Sequence, residues 1–435
     1  MNLVLKRMIS AVSALSVTAS FCFTAASGTV DKTSDNVITE ENTDIPSFSM
    51  ALPDFTYVLG GHGRTLEPMA PRGNSAGVSV YSTRSAMPSA FDLREASGMT
   101  SVKNQGAYGT CWAHSSAASA ESGILESDPS VNLSEMHTAY FSYYGDDQID
   151  PKSDKIDDIL NAGGNVYAVS NLWAQWIGPV YEEKMPYGDK TVLSDPEKLD
   201  ELKADSDYHL ENAYIFDYNY DKSNFDEVNN IIKGFVYSGQ GVDVSFHSDQ
   251  SANYSYSYYT SNSQRPPRFA DHAVTICGWD DSIPAYKFRN LPEGDGGWLV
   301  KNSWGAHFGE EGYFWISYYD ESLVDFGVFD LGDKNNYENI HQHDTFVYTN
   351  TMSAHMDASE TLPSYMANVF SSDAGEEIQA ISTYFSSPGT EYEVTVYSGL
   401  KDASDPTSGT GKTVASGVNT YNGYHTIEFD ESVYV

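Results

Sequence analysis

The sequence predicts an α+β domain followed by a β-sandwich, and three observations carry this prediction. Residues 111–126 present a mostly apolar face at helical spacing and contain no proline. From residue 241 onward, short β-branched or aromatic segments alternate with Gly or Pro. Beyond residue 333, apolar and polar residues alternate in short runs separated by Gly, Ser, Asp and Thr clusters, which is typical of a sandwich. Helices that precede strands favour an α+β order.

The same periodicities assign the individual elements. Helices are predicted at residues 111–126, 165–177 and 225–237. Strands of the first domain are predicted at 241–246, 272–279, 286–288, 297–302 and 312–318. Strands of the second domain are predicted at 378–385, 391–398 and 424–429. The sequence stops at Val435 within a strand-like stretch, so we expect it to be truncated.

The N-terminal segment has the three-part layout of a secretory signal peptide. Lys6 and Arg7 precede an apolar run that ends in small residues near Ala26, which predicts a signal over residues 1–27. A lipid-anchored Cys22 is the alternative, but the preceding Phe21 is too bulky for such a site. No other stretch approaches ~18 consecutive apolar residues, so no membrane span is expected in the mature chain.

The remaining organisation follows from changes in composition. Residues 28–86 are polar and weakly periodic, which indicates a pro-segment or linker. The first folded domain is expected at 87–325 and the sandwich at 333–435. The formal net charge of −37 makes nucleic acid and anionic membranes poor partners, and solvation is its simplest explanation. No cofactor and no metal are expected.

The cysteine count points to a reactive thiol. Of the three cysteines, Cys22 would leave with the signal, and Cys111 and Cys277 alone do not make a disulfide scaffold. Cys111 opens a predicted helix, where unpaired N–H groups and the positive end of the helix dipole favour a thiolate. Gly106 and Gly109 permit a tight backbone path into that helix.

A thiol nucleophile also requires a base and a group that orients the base. The chain has 11 histidines, so spacing alone does not choose among them. His272 opens a predicted strand, which would hold an imidazole rigidly. Asn302, at the end of another strand, is suited to accept the imidazole N–H, and Trp304 could cover that hydrogen bond.

Three segments resemble the active-site segments of the papain family of cysteine proteases. They are Asn104–Ala113 (NQGAYGTCWA), Asp271–Val274 with Gly278–Trp279, and Trp298–Gly305 with Gly309–Tyr313. They occur in the family's order, with 161 positions from Cys111 to His272 and 30 from His272 to Asn302. The resemblance runs from about residue 87 to residue 319. It implies a two-lobe domain, with a helical lobe and a β-barrel-like lobe.

The resemblance also implies roles for these residues. Cys111 and His272 would form a thiolate–imidazolium pair that hydrolyses peptide bonds through a thioester, with Asn302 as orienter. The Gln105 side chain and the Cys111 backbone N–H would stabilise the oxyanion. Asp271 would tune the pKa values of the pair.

Further residues are expected to bind the substrate. Gly163 and Gly164 would pair with its backbone. Ala273, with Val244 or Phe246, would line an apolar pocket for the P2 residue. The expected partners are therefore proteins or peptides.

Three positions depart from the family pattern or need separate explanation. Tyr108 stands where many members have a disulfide cysteine, which makes a bacterial or reducing setting more plausible. His114 replaces a usual Phe, and a packed helix residue is favoured over a second base. Cys277 is expected to be a small buried apolar residue.

The sandwich resembles a lectin-like domain that follows papain-like domains in some bacterial surface proteins. The segments concerned are Ala367–Phe370, Glu391–Tyr397 and Gly423–Thr426. Glycans are therefore candidate partners, and a secreted or cell-surface location is expected. Two alternatives to an active endopeptidase stay open at this point. One is an inactive adhesin or scaffold, and the other is a thiol amidase or transpeptidase acting on cell wall.

Overall fold

The computed structural model describes residues 3–11, 87–96, 98–143, 159–219, 222–249, 253–254, 258–259, 270–343, 364–372 and 375–435. For residues 3–11, 253–254 and 364 it describes the backbone alone. The predicted pro-segment or linker at 28–86 lies outside the described residues.

Six complete α-helices lie in the part of the chain that the structure describes, and residues 159–160 are helical as well. The six are α1 Leu93–Ala96, α2 Cys111–Ile124, α3 Glu135–Phe141, α4 Val166–Ala174, α5 Pro196–Lys203 and α6 Phe225–Tyr237. The three predicted helices correspond to α2, α4 and α6. The short helices α1, α3 and α5 were missed, and local side chains define the starts of α3 and α5. Ser134 caps α3 by accepting from the His137 N–H, and Asp195 caps α5 ahead of Pro196.

The strands are numbered in chain order. They are β1 Leu3–Ala11, β2 Ala90–Asp92, β3 Tyr208–Phe216, β4 Val242–Phe246, β5 Asn253–Tyr254, β6 Tyr258–Tyr259, β7 His272–Asp280, β8 Gly297–Lys301, β9 Tyr313–Ser317, β10 Val324–Asp333, β11 Ser364–Ser372, β12 Glu377–Phe385, β13 Glu391–Ser398, β14 Thr410–Val418 and β15 Gly423–Tyr434. The larger sheet has the order β12-β15-β3-β10-β4-β7-β8-β9-β6-β5, with β2 paired to β7. Its strands pair antiparallel except for β6 with β9.

One predicted strand is wrong. Residues 286–288 were expected to be extended, but Ala285–Lys287 form a single 3-10 turn. The Asp295 carboxylate accepts from the Ala285 N–H at 2.8 Å and fixes the start of this turn. Aromatic content alone indicated a strand there, whereas the flanking Pro284 and this side-chain bond favour the turn.

Helix α2 separates two hydrophobic cores of the first domain. It contacts β4, β7 and β10 on one side and α3 and α4 on the other. Every residue of α2 after Cys111 is buried except Gly123. Its apolar residues join a core built largely from the other helices, while β4, β7, β8 and β9 build the second core. Each large side chain buried there, such as Trp279 or Trp298, contributes roughly 1.5–3 kcal/mol. Cys111 therefore begins a helix that lies at the boundary between two lobes.

The C-terminal part is a sandwich of two sheet layers. One layer is the four-stranded sheet β11-β1-β13-β14, and the other is the pair β12–β15. Their inner faces share a core that includes Phe385, Val394, Val396 and Ile427. Strand β15 also pairs with β3, from Gly423 opposite Tyr214 to His425 opposite Asn212, so the sandwich continues the sheet of the first domain.

Strand β1 lies between β11 and β13 and pairs antiparallel with both. The predicted signal peptide, residues 1–27, includes this strand, and the signal stays a prediction. Cleavage near residue 27 would leave β11 and β13 without the strand that joins them.

Candidate active site

The candidate nucleophile, Cys111, is the first residue of α2 and is half-buried. The first N–H groups of a helix lack the usual partner four residues earlier, and here the Trp112 N–H is directed at the thiol. Burial raises the pKa of the Cys111 thiol to about 11, although hydrogen bonds from the Ala273 and Trp112 backbone act in the lowering direction. Since Ala273 follows His272 directly, the sulfur lies beside the first residues of β7.

The candidate base, His272, is buried at the start of β7. Its Nε2 lies 2.8 Å from Oδ1 of Asn302. The Ser303 N–H donates to the same Oδ1 at 2.8 Å, which identifies this atom as the amide oxygen. Because that oxygen only accepts, Nε2 of His272 carries the hydrogen and Nδ1 is left as the basic nitrogen. Burial lowers the pKa of His272 to about 4, and the bond to Asn302 acts in the opposite direction.

An indole packs on the imidazole of His272. The ring of Trp304 stacks on the imidazole with centroids 4.5 Å apart and planes inclined by 22°. Phe308 packs against this indole in an edge-to-face arrangement, with ring centroids 4.9 Å apart. The stacked ring keeps water from the hydrogen bond and fixes the plane of the imidazole.

Both the oxygen and the nitrogen of the Gln105 side-chain amide make hydrogen bonds within the protein. Ser303 Oγ donates to Oε1 at 2.7 Å, and Nε2 donates to the Tyr108 carbonyl at 2.7 Å. The first bond fixes which amide atom is oxygen, and the second uses one of the two N–H groups. One N–H of Gln105 is therefore left for a substrate oxyanion.

The hydroxyl of Tyr187 contacts both segments that would supply the oxyanion donors, one at Gln105 and one at Thr110. It donates to the Gln105 carbonyl at 2.8 Å and lies 2.6 Å from Thr110 Oγ1. Gln105 precedes the nucleophile loop and Thr110 ends it, so one phenol fixes both ends. Both contacts join Tyr187 to residues more than 70 positions away, so no local sequence pattern indicated this role.

The two cleft glycines differ in their surroundings. Gly163 has φ +78, and a Cβ there would meet nothing within 4 Å. A Cβ on Gly164 would lie 2.3 Å from Cε2 of Trp112. Gly163 thus leaves open space for a substrate backbone, whereas Gly164 permits close packing against the indole that follows the nucleophile.

The pairing register corrects the expected P2 pocket. Ser245 lies opposite Ala273 in the β4–β7 pair, while Val244 lies opposite Val274 and Phe246 opposite His272. Paired residues share a face of the sheet, so Ser245 accompanies Ala273 and Val244 does not. Val244 and Phe246 are buried in the second core, and their expected place in the pocket is wrong.

Asp271 is exposed. It contacts residues 247 and 248, and its charge also affects Cys111 and His272. Its Oδ2 lies 3.0 Å from Nδ1 of His247, and its Oδ1 accepts from the Ser248 N–H at 2.7 Å. Its negative charge also raises the pKa values of His272 and Cys111, in both cases as a smaller cause than burial. The sequence did not indicate the contact with His247, because nothing in the spacing pairs these residues.

A buried carboxyl beneath α2 was also missed. Asp243 on β4 accepts from Ser115 Oγ at 2.7 Å and from Ser116 Oγ at 2.5 Å. Burial raises the pKa of Asp243 to about 7, against the opposing effect of the two hydroxyls. An acid in the apolar run from Val242 to Phe246 was the available signal in the sequence.

Hydrogen bonds brace the nucleophile loop where no disulfide is present. Cys111 and Cys277 are both free thiols. The Gly109 N–H donates to Asn161 Oδ1 at 3.1 Å, and the Trp112 indole donates to the Gly109 carbonyl at 3.1 Å. Cys277 is fully buried on β7, 3.6 Å from the Leu299 carbonyl, and burial raises the pKa of its thiol to about 12. It therefore has no chemical role at this site.

Two kinds of feature are absent from the described part of the chain. No group of three or more His, Cys, Asp or Glu side chains there is arranged to hold a metal ion. None of the described helices is both long and apolar enough to span a bilayer.

Comparison with known proteins defines the class. Residues 87–326, more than half of the chain, match the family described as papain family cysteine protease. The chain belongs to the papain family of cysteine proteases. Residues 340–435 match the lectin like domain, so a papain-like domain is followed by a lectin-like one.

Among similar curated proteins is vignain of Vigna mungo, 26% identical over 242 residues, or 55% of this chain and 57% of vignain. The viral cathepsin of Cydia pomonella granulosis virus is 29% identical over 234 residues, or 52% of this chain and 57% of the cathepsin. The chain thus spans a little over half the length of these relatives.

Two solved structures resemble both domains together. The clostridial cysteine protease Cwp84 after propeptide cleavage superposes with a TM-score of 0.62 at 22% identity, covering 78% of this chain and 80% of that one. The cysteine protease and lectin-like domains of Cwp84, a surface layer associated protein of Clostridium difficile, give 0.60 at 22% identity, covering 80% and 72%. At this identity the likeness shows the fold.

Proposed function

We propose that this chain is a cysteine endopeptidase in which Cys111 attacks the substrate carbonyl. The observation that carries the proposal is the bond from His272 Nε2–H to Asn302, because it leaves Nδ1 of the imidazole free as a base. A thiol at a helix start beside such a base is the arrangement that nucleophilic catalysis requires.

Acylation follows from this geometry. His272 Nδ1 accepts the thiol proton, and the sulfur of Cys111 forms a bond to the peptide carbonyl carbon while the carbonyl π electrons move to oxygen. The free N–H of Gln105 and the Cys111 N–H donate to this oxyanion, a stabilisation of about 3 kcal/mol per donor. The intermediate collapses, the C–N bond breaks, and His272 gives its proton to the leaving amine.

Deacylation reverses the roles with water in place of the thiol. His272 accepts a proton from water, and the hydroxide oxygen bonds to the thioester carbon. The C–S bond then breaks, the thiolate takes back the proton, and the carboxylic acid leaves.

Burial sets the resting protonation of the pair. It raises the pKa of Cys111 and lowers that of His272, so each group taken alone is neutral at pH 7. The thiolate–imidazolium form therefore depends on mutual attraction and on the N–H groups around the sulfur. The proposal is therefore that Cys111 and His272 change protonation together, when the thiol proton moves to the imidazole.

Substrate binding is assigned to the cleft beside the thiol. The open space at Gly163 supports an extended peptide that pairs there as an added strand. Ala273 and Ser245 share one face of the sheet and support a small, partly polar P2 pocket. A positional-scanning peptide library tests this assignment, and a preference for large apolar P2 residues would contradict it.

The lectin-like domain and the predicted signal peptide support an extracellular enzyme of bacterial type that also binds glycan. The sandwich is joined to the protease sheet through β15 and β3, so a glycan bound there would hold the substrate cleft close to a sugar-bearing surface. The second candidate function, an adhesin without catalysis, is favoured by the same domain. A glycan array on the full chain tests binding, and a clean array would remove that part of the proposal.

Peptide hydrolysis separates the candidates, with the second cysteine as a matched control. We expect Cys111→Ala to abolish cleavage of protein and peptide substrates, while Cys277→Ala keeps it. Cleavage that survives Cys111→Ala would refute the proposal. A protein that leaves peptides intact but cleaves or joins cell-wall peptide stems would be an amidase or transpeptidase.

A further inference from the structure

His114 lies one helical turn after the nucleophile and is 5% exposed. Its Nδ1 is 3.0 Å from the Thr110 carbonyl oxygen. A carbonyl oxygen only accepts, so Nδ1 carries the hydrogen in this bond. Burial lowers the pKa of His114, which keeps the ring neutral with its single N–H directed at Thr110.

The carbonyl that receives this bond belongs to the peptide group that contains the Cys111 N–H. Thr110 O also accepts from the Ala113 N–H at 3.1 Å and from the His114 N–H at 3.2 Å. Three donors therefore fix the plane of the 110–111 peptide. A hydrogen bond to the carbonyl of a peptide polarises the whole group and makes its own N–H a stronger donor.

The ring of His114 also packs against the residue that holds both oxyanion donors. Its centroid is 4.8 Å from that of Tyr187 in an edge-to-face arrangement. The Tyr187 hydroxyl reaches Thr110 Oγ1 and the Gln105 carbonyl, as described above. His114 thus supports the 110–111 peptide directly and the Gln105 segment through the phenol.

We propose that His114 is a positioning residue for the oxyanion site, acting through the Thr110 carbonyl on the Cys111 N–H. The inference rests on the proposed function, because it assigns the Cys111 N–H to the developing oxyanion. A Phe at this position would keep an aromatic ring but lacks the N–H, so the assignment concerns the hydrogen bond and not the ring.

The test compares His114→Phe, which keeps an aromatic ring, with His114→Asn, whose amide N–H replaces the lost donor. We expect His114→Phe to lower kcat by about 5- to 10-fold, a fraction of the loss for a whole oxyanion donor, with KM within about 2-fold. Binding of a peptide aldehyde, whose adduct places an oxyanion in the same site, weakens by the same factor. Alkylation of Cys111 by iodoacetamide breaks a C–I bond and releases iodide without forming an oxyanion, so its rate constant stays unchanged. His114→Asn restores both kcat and aldehyde affinity.

Three results would overturn the inference. In the first, His114→Phe matches the unaltered protein in kcat and aldehyde affinity. In the second, all three measurements fall together, as expected of a purely structural residue. In the third, His114→Asn behaves as His114→Phe does. If the unaltered protein hydrolyses no peptide, the proposed function fails, but the aldehyde affinities still decide the role of His114.

Discussion

Oδ1 of Asn302 accepts two hydrogen bonds of 2.8 Å, one from His272 Nε2 and one from the Ser303 N–H. The second bond holds the amide so that it cannot present its NH₂ group to the imidazole. The tautomer of His272, the proposed base, is therefore set by the backbone that follows the asparagine.

Replacing Asn302 tests this relationship. Asn302→Ala removes the acceptor, so the imidazole can rotate and shift its hydrogen to Nδ1. We expect kcat to fall by about 10- to 100-fold, since a misoriented base loses its advantage of position. Steady-state hydrolysis of a fluorogenic peptide measures the loss. Asn302→Gln keeps an amide but misplaces it, and unchanged kcat in both variants would contradict the assignment.

The buried Asp243 predicts a dependence of stability on pH. Its pKa rises from 3.8 in the unfolded chain to about 7 in the folded protein, because burial disfavours the charged form. Its contribution to stability is then full below about pH 4 and is lost as pH rises through about 7, at up to about 1.4 kcal/mol per pH unit.

Comparison with Asp243→Asn isolates this effect. Other groups titrate equally in both proteins, so the difference between their free energies of unfolding reports Asp243 alone. Urea denaturation between pH 4.5 and 8 should show the unaltered protein losing stability relative to the variant as pH rises. Parallel curves would mean that Asp243 has no raised pKa.

Substitution of Gly164 is expected to disturb packing around Trp112 rather than substrate binding. A methyl group there would lie 2.3 Å from the Trp112 ring, so Gly164→Ala must displace the indole that follows Cys111. Overpacking of this kind costs about 1–3 kcal/mol, which thermal denaturation detects. Gly163→Ala is the control, because only its positive φ is strained, at about 1 kcal/mol. An equal or smaller loss for Gly164→Ala would contradict the packing account.

A substitution at Gly423 tests whether the β15–β3 pairing holds the two domains together. Its φ is +116, and a Cβ there would overlap the carbonyl oxygen of Ala213 on β3. Gly423→Val should therefore break the β15–β3 pairing while leaving the protease core intact. Limited proteolysis should then release the papain-like domain much faster than from Gly411→Val, a change within β14 of the sandwich. Equal release rates would show that this pairing does not hold the domains together.

The sequence predicted the elements whose residues carry a local signal. The helices α2, α4 and α6 have uninterrupted apolar faces, and β7, β8 and β9 have β-branched and aromatic runs. Strand β3 was missed because its charged and polar residues, among them Glu211 and Asn212, weaken the apolar pattern. Its place in the sheet comes from its partners β10 and β15, which lie more than 100 positions away.

The site was predictable where a motif carried it, and less so where packing decided it. Cys111, His272, Asn302 and Gln105 stood in recognisable segments. The hydroxyl of Tyr187 and the carboxyl of Asp243 bond to residues at long sequence separations, so no local pattern indicated their partners. The error at Val244 and Phe246 arose because the face of a strand depends on register, and a shift of one residue reverses it.

Mapping the site of covalent labelling tests the central claim most directly. The unaltered protein is incubated with an epoxysuccinyl peptide, digested, and analysed by mass spectrometry for the modified residue. We predict one adduct, on Cys111, with loss of peptide hydrolysis in proportion to labelling and with Cys277 unmodified. Full hydrolytic activity in a protein whose Cys111 is completely alkylated would contradict the account.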